Sequence, residues 1–591
     1  MFIRKNQIVW WGILFLVLFL FLVKPFGLEA AQNKGPQQPA WWDWGKKYWP
    51  TAPVRGGYFR KAAVTYIGLM NPNHWPVTDW VTIGFFYDKL LNTDGNFRPL
   101  VPWLAESWEF LDPVTVTMKL RRGVKFHDGS DFNAETLKYH IEWIMDKKNG
   151  AWTRAWLKPI KAIEVSDEYT VTWRFNKPWA GFLGTIANIP GYIISMEALK
   201  GDVAIGEAAK ATAEAREAKR KAATEGEEAK LDADKAEEKA RQAALKVKDV
   251  QNLDTHPVGA GPYILEEANP GSFVKIKRNP NWWFGRSIGR PDMPYFDGMI
   301  TTVIPDPSVQ LANLKAGKLD QMGIPKSMYD MIKSDPKFKT YAYNGNHIYA
   351  LGFNHAKGPC QDIRVRKAIS HAVDRKALIA GTQFGLALVA SCMYPKDHWC
   401  HNPDLKPISY DPELSKKLLA EAGYPNGLRL EGFVSNASEL VTVGEAIKGM
   451  LAKVGIDWKM DTLDEPAIDS RTKNLEYDLV QSGWIWIYDP DLPASARYHP
   501  SGSFNFGRSH NEKAIALIEA GREEMDLKKR QKIYFELEKA LYENYEDAWL
   551  FWPMDLTVLR KNVLGWNLDL YLKGREGYFW SHPQWFEKGR P

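Results

Sequence analysis

The chain has 591 residues, room for three or four folding units of ordinary size. Hydrophobic residues make up 45% and charged residues 25%, a balance that excludes a disordered or fibrous protein. Lys+Arg 77 against Asp+Glu 71 leaves a net charge of +6, too weak a basic bias for nucleic acid to be the partner.

In chain order, Arg4 and Lys5 precede an apolar run over 8–23 that Lys24 and Pro25 close. Leu28-Glu29-Ala30 then offers a small-residue exit, so 1–30 reads as a cleaved secretory signal peptide. The competing reading is a retained anchor, for which the run is slightly short of the roughly 20 residues that span a bilayer. No Cys precedes Cys360, so no lipid attachment is expected at the exit. Residues 31–53, rich in Gln, Pro, Lys and Trp, form a loose lead-in.

Residues 114–121 alternate as a strand, and so do 169–175. Between them Asn133 is placed to cap a helix whose apolar face is Leu137, His140, Ile141 and Ile144. Over 203–248 the composition switches to Ala, Glu, Asp, Lys and Arg, with no Pro and no aromatic residue. These are strong helix formers whose Ala face buries little area. The segment is expected to be a helical hairpin turning at Gly226, a tolerated surface insertion rather than a partner's docking arm. Further on, 273–277 reads as a strand, and 308–316, 363–379, 412–422, 443–454 and 513–545 read as helices. Strands and helices intermixed without a repeat indicate an α/β protein.

Cys392 and Cys400 lie close in sequence and are expected to form a disulfide in an oxidising compartment. A metal site built from them with His398 and His401 fits no standard zinc spacing, so no metal and no cofactor is expected. Gly285-Arg286-Ser287-Ile288-Gly289 matches a hydrolase nucleophile string, but Pro291 and Pro294 follow it, and it reads as a loop. No phosphate-cradling loop and no zinc-protease string occurs, and an enzyme is not expected.

Several ordered strings resemble one family. They are Leu104-Ala105-Glu106-Ser107-Trp108, Leu120-Arg121-Arg122-Gly123-Val124-Lys125-Phe126-His127-Asp128-Gly129, Gly259-Ala260-Gly261-Pro262-Tyr263 and Arg278-Asn279-Pro280-Asn281-Trp282-Trp283. Asp362-Ile363-Arg364-Val365-Arg366 and Tyr410-Asp411-Pro412 continue the series. Together they resemble the family 5 extracellular solute-binding proteins, the dipeptide, oligopeptide and nickel binding components of ABC importers. The resemblance implies a two-lobed α/β binding-protein fold with an extra subdomain and hinge closure on a ligand. It implies lobe I over 54–85, 250–302 and 553–591, the extra subdomain over 86–249, and lobe II over 303–552. It also implies a monomer in the periplasm that delivers a peptide or other small polar solute to ABC permease subunits. The competing classes, a secreted glycoside hydrolase or a non-transport adhesin or chaperone-like binder, lack supporting strings.

For the ligand site, Ser482-Gly483-Trp484-Ile485-Trp486-Ile487-Tyr488-Asp489-Pro490-Asp491 resembles the family's ligand segment. In peptide binders its first Asp pairs with the ligand's amino group; here Ile487 stands at that position, leaving Asp489 as a substitute. Trp484, Trp486 and Tyr488 alternate, so an extended strand would turn all three to one face. The other candidates, taken by position in the family pattern, are Asn71, Tyr87, Asn354 and Tyr394. Arg364 and Arg366 are expected to brace their helix rather than clamp an anion.

Overall fold

The strand Asp547–Arg560 is buried along almost its whole length, which suits its run of Trp549, Leu550, Phe551 and Trp552 followed by Leu556, Val558 and Leu559. It is the spine of a 12-stranded sheet in a computed structural model that describes residues 52–75, 77, 79–93, 101–224, 226–345, 347–485, 489–565 and 584–588. Its C-terminal half pairs with Gln321–Gly323 and Phe338–Asn344. Its N-terminal half pairs with His347–Phe353 and Ala387–Val389. The first group continues through Tyr58–Ala63 to Gly298–Val303, Phe273–Arg278 and Tyr263–Asn269, and the second continues through Leu479–Ile485 to Leu428–Ser435 and Ile456–Leu463. Two lobes therefore share one strand. The signal segment and the lead-in as far as residue 51 lie outside the described residues, as do Trp486, Ile487 and Tyr488.

The chain passes between the lobes at Gly345, whose N–H donates to the Pro553 carbonyl at 2.9 Å. This corrects the expected start of lobe II at 303. Gln321–Gly323 pairs with Lys61 and Phe338–Asn344 with Met554 to Arg560, so the chain from 303 to 344 stays with the first lobe. The helix Pro307–Lys315, capped by Asp306, packs there with Met322, Leu556 and Val558.

The extra subdomain is a four-stranded antiparallel sheet. Ala105–Asp112 pairs with Thr115–Leu120, which pairs with Thr170–Phe175, which pairs with Ile160–Asp167. The helix Ala134–Met145 packs on it, its first turn closed by the Asn133 side chain accepting from the Thr136 N–H. One core runs from Trp108, Trp173 and Phe182 through Trp103 and Trp283 to Phe59 and Phe296, which fuses the subdomain to the first lobe. At its centre the three indole N–H groups of Trp103, Trp282 and Trp283 donate to the buried Asp88 carboxylate at 2.7, 3.1 and 2.7 Å.

The helical hairpin comprises Met196–Ala222 and Glu227–Lys246, starting earlier than expected because Ser195 caps the first helix. Gly226 makes the turn at φ +92°, a conformation that disfavours any side chain. Ala211, Ala215 and Ala240 form the seam, and exposed pairs such as Lys219–Glu237 and Lys239–Glu214 join the flanks.

Two expected long helices are each broken in two. The 363–379 stretch divides into Ile363–Ala372 and Arg375–Gln383 because Asp374 caps a new helix through the Lys376 and Ala377 N–H groups. The 513–545 stretch divides into Glu512–Glu523 and Leu527–Glu543, the second capped by Asp526. Apolar periodicity continued through both breaks, and the local acidic caps decided the boundary. Arg366 braces its helix by donating to the carbonyls of Cys360, Gln361, Asn544 and Tyr545. Ser287 ends the short helix Trp283–Ser287 with its hydroxyl on the Phe284 carbonyl, away from any strand-to-helix turn.

The expected disulfide is not formed. Cys360, Cys392 and Cys400 are all buried free thiols. The Cys392 Sγ lies 3.5 Å from the Glu538 carbonyl and the Cys400 Sγ lies 2.8 Å from His398 Nδ1. Each sulfur is thus held by a different neighbour within the second lobe, and burial pushes both thiols well above their ordinary pKa. Among the described residues no group of His, Cys, Asp and Glu could hold a metal ion.

Candidate functional site

A cleft of about 550 Å³ opens between the lobes. Trp75 and Trp152 form one wall, from the first-lobe and subdomain side. Trp75 is 55% exposed, and its ring meets Trp152 edge-on at 5.6 Å. The Trp152 indole is fixed from behind by donation to the Pro72 carbonyl at 3.1 Å. An exposed Trp with one face in a cavity is costly to keep in water, and supplies flat contact area to whatever enters.

The opposite wall belongs to the second lobe. Phe433 and Tyr477 meet edge-on at 5.8 Å, and Trp484 and Phe504 at 5.2 Å with Phe506 beyond. Trp484 stands on Leu479–Ile485, an interior strand flanked by His347–Phe353 and Leu428–Ser435, which holds it rigidly. Phe504 and Phe506 come from a loop fixed by Asn505, whose amide donates to the His499 and Ser509 carbonyls and accepts from the Ser509 N–H.

The floor is ionic and internally paired. Arg497 donates to Asp547 Oδ2 and to Ser482 Oγ, both at 2.8 Å, and to the Gly483 carbonyl. Tyr498 donates to the same Asp547 oxygen. Burial alone would lower the Arg497 pKa, but Asp547 and Tyr498 outweigh it and raise it. Beside them the Glu546 carboxylate accepts from Ser509 Oγ at 2.7 Å, Asn511 Nδ2 at 3.0 Å and Asn544 Nδ2 at 2.5 Å. His355 contacts the Glu546 carbonyl at 3.1 Å, and burial holds its pKa below the ordinary histidine value despite that carboxylate. At the solvent-facing rim Lys473 pairs with Asp469 at 2.6 Å.

Of the residues expected to face a ligand, Trp484 lines this cleft and the other described ones do not. Asp489 is clamped by Arg530, one oxygen to each terminal nitrogen at 2.6 Å, and lies beneath Gly184 of the subdomain. It is therefore not a substitute partner for an ammonium group. Tyr394 is buried, with its hydroxyl on the Pro490 carbonyl at 2.9 Å. Asn354 ties a loop, donating to the Tyr477 carbonyl and accepting from the Ala356 and Lys357 N–H groups. Tyr87 donates to the Met70 carbonyl in the core, and Asn71 accepts from the Asn73 N–H in a buried turn. All four were placed by position in a pattern, and each bonds a backbone group of the scaffold, although the buried Asn71 Nδ2 has no partner among the described residues. Sequence reasoning missed Trp75, Trp152, Phe433, Tyr477 and Arg497, which come from separate segments. Only Trp75 carried a local signal, a Trp between His74 and Pro76 in a loop.

Comparison with known proteins agrees with the fold. Residues 99–505 match the model for bacterial extracellular solute-binding proteins, family 5 Middle. Heme-binding protein A of Haemophilus influenzae is 26% identical over 476 residues, 76% of this chain and 78% of the relative. The dipeptide-binding protein of Escherichia coli K12 is 24% identical over 514 residues, 82% of this chain and 86% of the relative. Among solved structures, the periplasmic binding protein DppA of Helicobacter pylori in complex with the peptide STSA superposes with a TM-score of 0.72 at 24% identity, over 90% of this chain and 99% of that one. The oligopeptide-binding protein AppA of Bacillus subtilis in complex with a nonapeptide gives 0.72 at 20% identity, over 90% and 100%.

Proposed function

The chain belongs to the bacterial extracellular solute-binding proteins of family 5, and from that premise we infer that it captures a solute between its lobes and presents the closed form to the permease of an ABC importer. The observation that carries this reading is the cleft itself. One wall is Trp75 and Trp152, the other is Phe433, Tyr477, Trp484 and Phe504, and the two lobes behind them are joined through a shared strand. A ligand touching both walls stabilises the closed arrangement by whatever affinity it gains there. The floor groups hold one another, Arg497 with Asp547 and Glu546 with Ser509, Asn511 and Asn544. The reading extends to a monomer working outside the inner membrane, released by cleavage after 30 and carrying no lipid.

The test is native mass spectrometry of protein purified from its own compartment, followed by thermal denaturation with the solute found. A retained small molecule that raises Tm in proportion to the logarithm of its concentration supports the reading. A ligand-free mass, with no Tm change across peptides, sugars, opines, heme and metal chelates, overturns it.

A further inference from the structure

The charges of the cleft are already spent, and this sets the class of its ligand. We propose that the site takes an uncharged solute bearing at least one aromatic or similarly flat apolar group and a neutral hydrogen-bond donor. This rests on the solute-binding reading and goes beyond it.

Three observations carry it. On the floor, Arg497 and Asp547 face each other at 2.8 Å with side chains 12% and 4% exposed. Glu546 is held by Ser509, Asn511 and Asn544 with its side chain 1% exposed. An ammonium or carboxylate brought to this floor would have to break an existing buried pair or go unpaired, and either is costly. Lys473 and Asp469 are the remaining charged pair of the described lining. Their side chains are 60% and 54% exposed, so a ligand charge meeting them stays in a hydrated, screened setting.

Second, aromatic rings line both walls, including the exposed Trp75. A flat apolar body gains dispersion and area burial against them without needing a counter-charge. Third, the Gln481 side-chain oxygen, in the cleft lining, is buried and accepts no hydrogen bond from the described residues. A lone buried acceptor is satisfied by an amide N–H or a hydroxyl from the ligand, and losing that partner is penalised. A carboxylate placed there would repel it.

The experiment is isothermal titration calorimetry of the full mature protein with the tripeptide Phe-Gly-Phe in four forms: free at both ends, N-acetylated, C-amidated, and blocked at both ends. Blocked Gly-Gly-Gly serves as the aromatic-free control. The doubly blocked aromatic form is expected to bind at least tenfold more tightly than the free form, with the singly blocked forms between. Blocked Gly-Gly-Gly is expected to bind at least tenfold more weakly than blocked Phe-Gly-Phe. Gln481→Leu should weaken the blocked aromatic form while leaving Tm of the unliganded protein within a few degrees. Tighter binding of the free form overturns the inference and leaves the solute-binding reading intact. Silence from all five peptides also overturns it, and the native mass spectrum then decides separately whether the protein binds any solute.

Discussion

Asp88 shows how much one side chain can carry. Burial raises its pKa from 3.8 to about 6, while hydrogen bonds from Trp103, Trp283 and Trp282 pull it back. The folded state therefore binds this proton more tightly than the unfolded chain does. Its contribution to stability is complete below about pH 4 and is lost as pH rises through 6, by roughly 3 kcal/mol over the range. Replacing Asp88 with Asn removes the titration. The stability difference between wild type and Asp88→Asn, read by chemical denaturation, should shift against wild type between pH 4 and 7, and a parallel pair of curves would refute the assignment. Gly184 is a second such point. A Cβ on it would fall 2.2 Å from the Asp489 Cβ, so Gly184→Ala must push the subdomain off the second lobe. Overpacking of this kind costs about 1–3 kcal/mol. The variant should lose that much stability and bind solute more weakly, as calorimetry would report.

At the scale of elements, the hairpin of Met196–Ala222 and Glu227–Lys246 is rooted in the main core by Leu199 and Val203 and holds itself together beyond them. Its seam is Ala on Ala, its ion pairs are exposed, and at its base Gly201 packs directly against Val250. Removing 203–248 and joining the stumps through a short Gly-Ser linker should leave Tm within a few degrees and solute affinity within twofold, because loop length is thermodynamically inexpensive. A collapse of either quantity would show that the hairpin braces the subdomain. Elements of this kind were legible in the sequence because their causes are local. The Asn133 cap, the Gly226 turn and the alternation of 115–120 each need only a few neighbouring residues. The cleft was not legible for the opposite reason. Trp75, Trp152, Phe433 and Arg497 carry no mutual spacing, and only the shared sheet and the packed subdomain bring them together. The pattern-borne candidates Tyr87, Asn354 and Tyr394 each bond a carbonyl or N–H of the scaffold and lie outside the lining of this cleft.

Across the whole molecule, contacts between the lobes flank the cleft. Near the crossing, Lys326 of the first lobe meets Glu439 of the second at 2.9 Å. On the far side the Ala180 N–H donates to the Arg522 carbonyl at 2.7 Å, and Lys177 meets Glu523 at 3.1 Å. Partly exposed pairs are worth up to about 1 kcal/mol. Lys326→Ala should therefore raise the solute Kd by up to about fivefold and enlarge the unliganded radius of gyration in solution scattering. An unchanged Kd and radius would mean that this pair does not favour closure. The strand Asp547–Arg560 sets a further limit. Each lobe borrows half of it, so neither lobe owns all the backbone partners of its own sheet. Expressed alone, a fragment ending before 547 would leave a raw edge along His347–Phe353 and should aggregate. Because Asp547–Arg560 completes both halves of the sheet, neither lobe can close its own sheet until that late segment of the chain has joined it.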